Sequence, residues 1–172
     1  GCGKPAWARH IAAKSNAEIV ELNAVTAGGA DIRKAVDQAK FSSQNLGRRT
    51  LLLVDEIHHF NKTQQDALLP SVERGDVLLI GMTTENPSFY VNAALLSRVT
   101  AFEFLPIPET ELAKILDHAC ADADRGVAGF MVVLTPEAKA HLLRQSGGDA
   151  RRMLNALEIA SLTTAPDAEG GR

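Results

Sequence analysis

A chain of 172 residues is long enough to bury one good core, or a core with a small appended domain. Its 45% hydrophobic and 23% charged residues exclude a disordered chain, and no apolar run approaches the length of a membrane-spanning helix. The net charge of −3 excludes a global attraction to nucleic acid, so any DNA contact would depend on local basic patches. One candidate patch, for which a solvated surface is the alternative, consists of Lys34, Lys40, Arg48 and Arg49.

Cysteine and histidine usage points away from disulfides and metal sites. Cys2 and Cys120 are too few for a disulfide framework, and we expect a reduced, cytoplasmic compartment. The five histidines show no metal-ligand spacing, since His58 and His59 are adjacent and the others are isolated.

The chain opens on a glycine-rich turn, in which Gly1 and Gly3 precede Lys4 and a helical run over residues 6–14. This pattern is typical of the second half of a phosphate-binding loop, where backbone N–H groups cradle phosphates and the lysine reaches the β- and γ-oxygens. Pro5 occupies the position at which that loop has a Ser or Thr for Mg²⁺. Proline is tolerated in the first helical turn, but it supplies neither the hydroxyl nor an N–H. It therefore puts hydrolysis in doubt even where nucleotide binds.

The next segments predict a strand and a crossover helix. Residues 17–22 have strand character, and a glycine pair at residues 28–29 indicates a mobile loop before the helix. Asp31 is expected to cap that helix, whose apolar face consists of Ile32, Ala35, Val36 and Ala39. With a second strand following, this succession predicts a parallel sheet with crossover helices, and hence an α/β fold.

The second strand, at residues 50–56, carries apolar residues that end on an acidic pair, Asp55 and Glu56. It predicts a buried parallel strand that delivers both carboxylates to the carboxyl edge of the sheet, where open α/β sheets bind ligands. In P-loop ATPases the first carboxylate of such a pair holds the Mg²⁺ on the phosphates, and the second can polarise the attacking water. A core strand ending in a solvated acidic turn is the alternative for this stretch taken alone.

The residues after the acidic pair predict a helix and a third strand. Asn61 followed by Gln64 has the pattern of a capping box, so the helix should start there, and Pro70 should kink or end it. Residues 77–82 predict the strand. The polar residues 83–87 at its end would lie near the γ-phosphate and the attacking water, unless they simply make the turn.

Residues 92–96 predict a short helix, which leads to Arg98 and to a strand at residues 101–105. Arginine is more often a surface charge, but Arg98 at the far end of the sheet would suit presentation to a neighbouring subunit's nucleotide. The prolines at positions 106 and 108 mark a boundary, because everything after them has helical character.

The second part of the chain predicts a three-helix subdomain. Its helices are expected at residues 109–122, after an N-cap at Thr135, and from an N-cap at Asp149 through Leu162. Arg151, in the first turn of the last helix, opposes the helix dipole, which either an anionic partner or simple solvation would explain. The predicted domains are 1–106 for the nucleotide-binding core, 107–165 for the helical subdomain and 166–172 for a disordered tail.

In this order along the chain, the segments resemble the AAA+ ATPases. Residues 55–66, 83–89 and 149–155 narrow the resemblance to the replication-associated recombination ATPases called RarA or MgsA, whose eukaryotic relative is the Werner-helicase-interacting ATPase. The resemblance covers nearly the whole chain. It implies an AAA+ P-loop parallel sheet with flanking helices and a small all-α lid, with the first, central strand missing here. We therefore expect residues 1–172 to be a fragment of a longer protein that also has a C-terminal oligomerisation region.

The resemblance also implies a role for each site residue by its position. The implied set is Gly1, Gly3 and Lys4 in the Walker A loop, Asp55 (through Mg²⁺) and Glu56 in Walker B, Thr84 or Asn86 as sensor 1, Arg98 as an arginine finger acting in trans, and Arg151 as sensor 2. ATP and Mg²⁺ are the implied cofactors. The implied partners are DNA junctions and forks, single-strand-binding protein and further copies of the chain, in a cytoplasmic protein associated with the nucleoid and without membrane contact.

This sequence departs from the family pattern at Pro5 and Ala6 for Thr-Thr, Trp7 for Leu, His59 for Arg, and Thr100 for a second arginine. Three functions follow as hypotheses. The first is an ATPase that acts on DNA in replication-fork maintenance, recombination and repair. The second is a degenerate AAA+ subunit with a structural or regulatory role that no longer hydrolyses ATP. The third is a clamp-loader or Holliday-junction branch-migration ATPase with the same motifs.

Overall fold

The computed structural model describes residues 1–166, and the chain divides into two compact units. The first unit is Lys4–Glu103, and the second joins Gly1–Gly3 to the chain from Phe104 onward. The expected domain bounds at residues 106 and 165 stay a prediction. Of the expected disordered tail at residues 166–172, Pro166 is described and residues 167–172 lie outside the described residues.

The first unit contains a parallel sheet of three strands in the order β1-β2-β3, which confirms the predicted α/β fold. The strands are β1 (Glu18–Asn23), β2 (Thr50–Asp55) and β3 (Val77–Gly81). Three helices of this unit flank the sheet: α1 (Lys4–Lys14), α2 (Gly29–Leu46) and α3 (Lys62–Arg74). Two one-turn helices follow β3, namely α4 (Pro87–Tyr90) and α5 (Ala93–Leu96).

Strand β2 is the centre of this unit because both of its faces are buried. Leu52 and Val54 pack in the cluster that contains residues of α2 and α3, whereas Leu51 and Leu53 pack in the cluster that contains residues of α1. Side chains of a strand alternate between its two faces, so an unbroken apolar run is needed where helices cover both. This double burial fixes where β2 ends and therefore where its acidic pair emerges.

The start of α2 differs from the prediction. Gly28 is the N-cap in an extended conformation, and Asp31 lies within the first turn, where its carboxylate accepts a hydrogen bond from the Gly28 N–H at 2.8 Å. A carboxylate in the first turn stabilises the helix through the dipole without being the cap. The predicted apolar face is confirmed, since Ile32, Ala35 and Ala39 are buried.

Helix α3 begins as predicted but does not end at Pro70. The Asn61 side chain accepts a hydrogen bond from Gln64 N, and the Gln64 side chain accepts one from Asn61 N, both at 2.9 Å. The helix runs on through Pro70 to Arg74. Proline removes one backbone hydrogen bond, and the fully buried side chains of Leu68 and Ser71 on either side of it hold the helix against the core.

The strand predicted at residues 101–105 is wrong, because no strand forms there. A strand needs the backbone groups of a neighbouring strand, and the three-stranded sheet within residues 1–166 does not include this segment. Ala101, Phe102 and Leu105 of the segment are exposed, and Phe104 is half-buried. Phe102 is 71% exposed, and its ring centroid lies 6.3 Å from that of Trp7.

Among its described residues the second unit contains three α-helices, as predicted: α6 (Glu109–Ala121), α7 (Pro136–Ser146) and α8 (Ala150–Thr163). Their core contains Leu112 and Leu116 of α6 with Met153 and Leu157 of α8. The predicted caps are present, since Thr135 accepts a hydrogen bond from Ala138 N and Asp149 accepts one from Arg152 N. Within residues 1–166, no helix is both long and apolar enough to cross a lipid bilayer.

Candidate functional site

Asp55 ends strand β2 at the carboxyl edge of the sheet, as the sequence predicts. Its register partner on β1 is Asn23, and its carbonyl accepts a hydrogen bond of 2.9 Å from Ala24 N. On the other side Met82 N donates to the Val54 carbonyl at 2.8 Å. Backbone hydrogen bonds to β1 and β3 thus fix the position of the strand end at Asp55. The Asp55 side chain is half-buried.

Asp55 also lines a cavity of about 240 Å³ within the first unit. The lining residues are Pro5, Arg9, Glu21, Leu22, Asn23, Leu53, Asp55 and Met82. Ligand pockets commonly enclose about 300–1,000 Å³, so this cavity is smaller than a typical ligand pocket. Arg9 pairs with Glu21 at its rim, Nη2 to Oε2 at 3.0 Å, and this hydrogen bond lowers the pKa of the Glu21 carboxyl.

The donor set at this edge is compatible with a magnesium ion that a nucleotide brings with it. Mg²⁺ is typically held by one or two carboxylates together with phosphate oxygens and water. Asp55 provides such a carboxylate, and no group of three or more His, Cys, Asp or Glu that could form a protein-only metal site occurs within residues 1–166. Pro5 lines the same cavity and contributes no hydroxyl to it.

Glu56 adopts a backbone conformation that non-glycine residues rarely take. Its φ is 53° and its ψ is 44°, in the left-handed region, and its N–H donates to Asp55 Oδ1 at 3.2 Å. Such a conformation costs on the order of 1–3 kcal/mol and persists where the surroundings require it. Its carboxylate oxygen Oε2 is buried, has no hydrogen bond of good geometry within the described residues, and lies 3.4 Å from Nδ1 of His58.

The predicted sensor residues after β3 are placed differently from one another. Thr84 is exposed, and the exposed Asn86 caps α4 by accepting a hydrogen bond from Ser88 N at 3.0 Å. Thr83, which the sequence did not single out, lies 2.9 Å from His58 Nδ1 through its Oγ1. The register pairs Val54 with Gly81, so Thr83 follows β3 at the level at which Glu56 follows β2. In the sequence, the position of Thr83 among the polar residues that end the third predicted strand was the signal that could have found it.

Arg98 is held by groups of its own chain. It forms an ion pair with Glu73 of α3, and its Nη1 donates to the Ala94 carbonyl at 2.8 Å and to Ser97 Oγ at 2.9 Å. Its side chain is 39% exposed, so the guanidinium is both oriented and accessible. A role in trans stays a prediction.

The remaining predicted residues are divided between the units. Lys4 starts α1 in the first unit, whereas Gly1, Gly3 and Arg151 belong to the second. Gly3 has a φ of 89°, a left-handed conformation that suits glycine and that phosphate-cradling turns use. Arg151 is exposed in the first turn of α8, and a Cβ added to Gly1 would lie 3.7 Å from its Cβ.

Gln65 is a second residue that sequence reasoning missed. Its side chain is buried, and its Nε2 donates to the carbonyls of Phe60 and Tyr90, both at 2.8 Å. Its Oε1 accepts from Asn92 N, also at 2.8 Å. One amide thus joins the turn after Glu56 to the helices that lead to Arg98.

These features define a nucleotide-binding α/β protein: a parallel sheet, a glycine-lysine turn before a helix, and an acidic pair at the carboxyl end of the central strand. The family model described as "ATPase family associated with various cellular activities (AAA)" matches residues 1–107. The chain belongs to the AAA family.

Within that family, the predicted resemblance is confirmed. The chain is 42% identical over 172 residues to the replication-associated recombination protein A of Escherichia coli K12, covering 100% of this chain and 38% of that protein. It is 41% identical over 160 residues to the ATPase WRNIP1 of Dictyostelium discoideum, covering 93% of this chain and 18% of that protein. The chain therefore spans well under half the length of these relatives.

A solved structure supports the fold. The Holliday junction branch migration motor RuvB of Thermotoga maritima matches with a TM-score of 0.69, covering 95% of this chain and 53% of that one. At 22% identity this likeness concerns the fold alone.

Proposed function

We propose that this chain is the nucleotide-binding part of an ATPase that acts on DNA in replication-fork maintenance, recombination and repair. The observation that carries the proposal is the acidic pair Asp55-Glu56 at the carboxyl end of β2, in a chain that is similar over its whole length to the replication-associated recombination protein A. DNA as the substrate rests on that similarity, and the test includes it.

Each site residue then has a chemical task. A bound Mg²⁺–ATP supplies the phosphate that is transferred to water. Asp55 would hold the Mg²⁺, Lys4 would neutralise phosphate charge, and the backbone N–H groups of the turn that contains Gly1 and Gly3 would orient the phosphates. Glu56 accepts the proton of the attacking water. The remaining set stabilises charge on the phosphates or positions the water: Thr84, Asn86, Arg98 and Arg151.

The test is ATP binding and turnover by the longest form that the gene encodes, with and without single-stranded and forked DNA. We expect binding, turnover and stimulation by DNA. Glu56→Gln should keep ATP binding and lower turnover by about 100-fold or more, since it removes the proton acceptor. Glu158→Gln, a matched change of an exposed carboxylate on α8, should do neither. Equal turnover in Glu56→Gln and the parent protein would exclude the assigned role.

A degenerate subunit that binds ATP without turnover is the second candidate, and Pro5 is the observation that favours it. Restoring the hydroxyl with Pro5→Thr should raise turnover by about tenfold or more if a missing metal ligand limits the reaction. Trp7→Leu, a second return to the family pattern that adds no ligand, is the matched control. Unchanged turnover in Pro5→Thr would mean that Pro5 is not what limits hydrolysis.

A clamp-loader or branch-migration ATPase is the third candidate, and the DNA arm of the assay separates it. Stimulation by four-way junctions or by a sliding clamp, and not by forks or gaps, would favour it over fork maintenance. Binding to single-strand-binding protein is part of the proposal and is tested by pull-down with the purified protein. Microscopy of the tagged protein tests the proposed cytoplasmic, nucleoid-associated location.

Assembly into a homo-oligomer in which Arg98 reaches the nucleotide of a neighbouring copy completes the proposal. Arg98→Ala should lower turnover and spare ATP binding. Glu73→Gln breaks the ion pair within the chain but leaves the arginine, so it should keep turnover. Turnover per subunit should also rise with protein concentration. If Arg98→Ala and Glu73→Gln lose turnover equally, the ion pair within the chain explains the loss and no role in trans is needed.

A further inference from the structure

A small polar network connects the ends of strands β2 and β3. Nδ1 of His58 lies 2.9 Å from Thr83 Oγ1 and 3.4 Å from Glu56 Oε2. Thr83 Oγ1 also accepts a hydrogen bond of 3.0 Å from Glu85 N, and its hydroxyl lies 3.5 Å from the Glu85 carbonyl. The imidazole is therefore the one group that contacts both Glu56 and the end of β3 in this network.

The geometry of the network favours a proton on Nδ1 of His58. Glu56 Oε2 is buried and has no other hydrogen-bond donor among the described residues. A bare Nδ1 would turn its lone pair toward that oxygen, which is unfavourable for a buried carboxylate. A proton on Nδ1 lies between two acceptors instead, Thr83 Oγ1 and Glu56 Oε2, while the Thr83 hydroxyl points to the Glu85 carbonyl.

The ring of His58 is also fixed by its neighbours. Its side chain is 13% exposed, the edge of Tyr90 approaches it at a centroid distance of 5.9 Å, and the ring of His59 lies at 4.4 Å. Tyr90 is in turn held through its carbonyl by Gln65. A group that is oriented on this many sides can hold a flexible carboxylate in one position.

We propose that His58, protonated on Nδ1, is a positioning residue that holds the Glu56 carboxylate and ties its position to Thr83 at the end of β3. The inference rests on the proposed function, because a held carboxylate matters only if Glu56 works on the attacking water. Its consequence is that a shift at the end of β3 moves the carboxylate by way of the imidazole. The residues after β3 would then signal to Glu56 without touching it.

The first test needs no nucleotide and no turnover. Protein labelled with ¹⁵N-histidine is examined by NMR, because a protonated and a bare ring nitrogen have different chemical shifts. The His58 resonance is identified as the one that disappears in His58→Asn. We expect Nδ1 of His58 to be protonated. Thr83→Val should shift that resonance, and Thr83→Ser, which keeps the hydroxyl, should leave it in place. A bare Nδ1 in the parent protein would overturn the proposal.

The second test uses a matched pair of substitutions in the full-length protein. Asn can place an amide N–H near the position of Nδ1, whereas Leu has a similar shape and no donor. We expect His58→Leu to lower kcat by about tenfold or more with KM for ATP changed less than about twofold, because a misplaced carboxylate affects chemistry rather than binding. His58→Asn should recover most of kcat. His141→Leu, at an exposed site on α7, is the control.

The outcomes separate this inference from the proposed function. If Glu56→Gln abolishes turnover and His58→Leu behaves like His141→Leu, His58 does not position Glu56, and the proposed function stands. If the parent protein binds ATP but never hydrolyses it, the proposed function fails, and the NMR result still decides the network. If His58→Leu and His58→Asn lose kcat equally with unchanged thermal unfolding, the donor at Nδ1 is not what matters and the proposal is overturned.

Discussion

Replacing Gln65 by leucine should destabilise the first unit strongly, although the two side chains are similar in size. The change removes three hydrogen bonds of 2.8 Å, to the carbonyls of Phe60 and Tyr90 and from the N–H of Asn92. The bond to Phe60 is buried and the other two are partly buried. An unsatisfied buried group costs about 1–3 kcal/mol, with less for groups that water can reach.

After allowance for the apolar surface that leucine buries, we expect a loss of about 3 kcal/mol in the free energy of unfolding. That is a large part of the roughly 5–15 kcal/mol that stabilises a typical domain. Urea unfolding followed by circular dichroism measures it, with a lower midpoint and an unchanged slope as the expected form. The melting temperature should fall by on the order of 10–20 °C.

The control is Gln44→Leu, at an exposed position on α2 in the same unit, which should change stability by less than about 0.5 kcal/mol. If Gln65→Leu matches Gln44→Leu, the three groups find other partners or water at little cost, and the reasoning from burial is refuted. Gln65→Glu adds a second check. It keeps the acceptor for Asn92 and loses the donors, so it should be less stable at neutral pH than at acid pH relative to the parent.

Two further predictions concern stability. Gly126→Ala would place its Cβ 2.0 Å from the carbonyl oxygen of Ala119, so it should lower the melting temperature of the second unit by several degrees in calorimetry. The control is Gly129→Ala, whose Cβ meets nothing within 4 Å and which should leave the melting temperature unchanged. Equal melting temperatures of the two variants would contradict the steric argument. The hydrogen bond from Arg74 lowers the pKa of the Asp76 carboxyl in the folded state, so its stabilising contribution is present above the unfolded pKa of about 4 and is lost as the pH falls through the lowered value. Asp76→Asn should therefore show a smaller loss of stability than the parent protein between about pH 5 and pH 2 in urea titrations, and identical pH dependence would exclude this group as a source of the loss.

Much of the fold follows from local patterns that act over a few residues. The apolar run before Asp55, the capping box of Asn61 with Gln64, and the caps Thr135 and Asp149 were each visible in the sequence, and the structure confirms them. Caps and periodic apolar faces are recognisable because their physical cause lies within one or two helical turns.

Patterns whose outcome depends on distant residues were less reliable. The segment at residues 101–105 has strand character but is not part of the three-stranded sheet, and Pro70 lies within α3, which continues to Arg74. Of the candidate site, the sequence indicated Asp55 and Glu56, but neither the contact between His58 and Thr83 nor the buried amide of Gln65. The roles of the predicted site residues stay predictions.

By itself the sequence determined the class of this protein. A glycine-lysine turn, a strand that ends on an acidic pair, a strand that ends on polar residues and a capped helix that carries arginine follow one another in the order of the AAA family. Only the tertiary structure decided which polar groups meet, because β2 and β3 place Glu56 and Thr83 at one edge across 26 intervening residues, and the turn after Glu56 brings His58 between them. A sequence motif shows which side chains are present. The register of a parallel sheet, set by the burial of its apolar faces, decides which of them come within hydrogen-bonding distance.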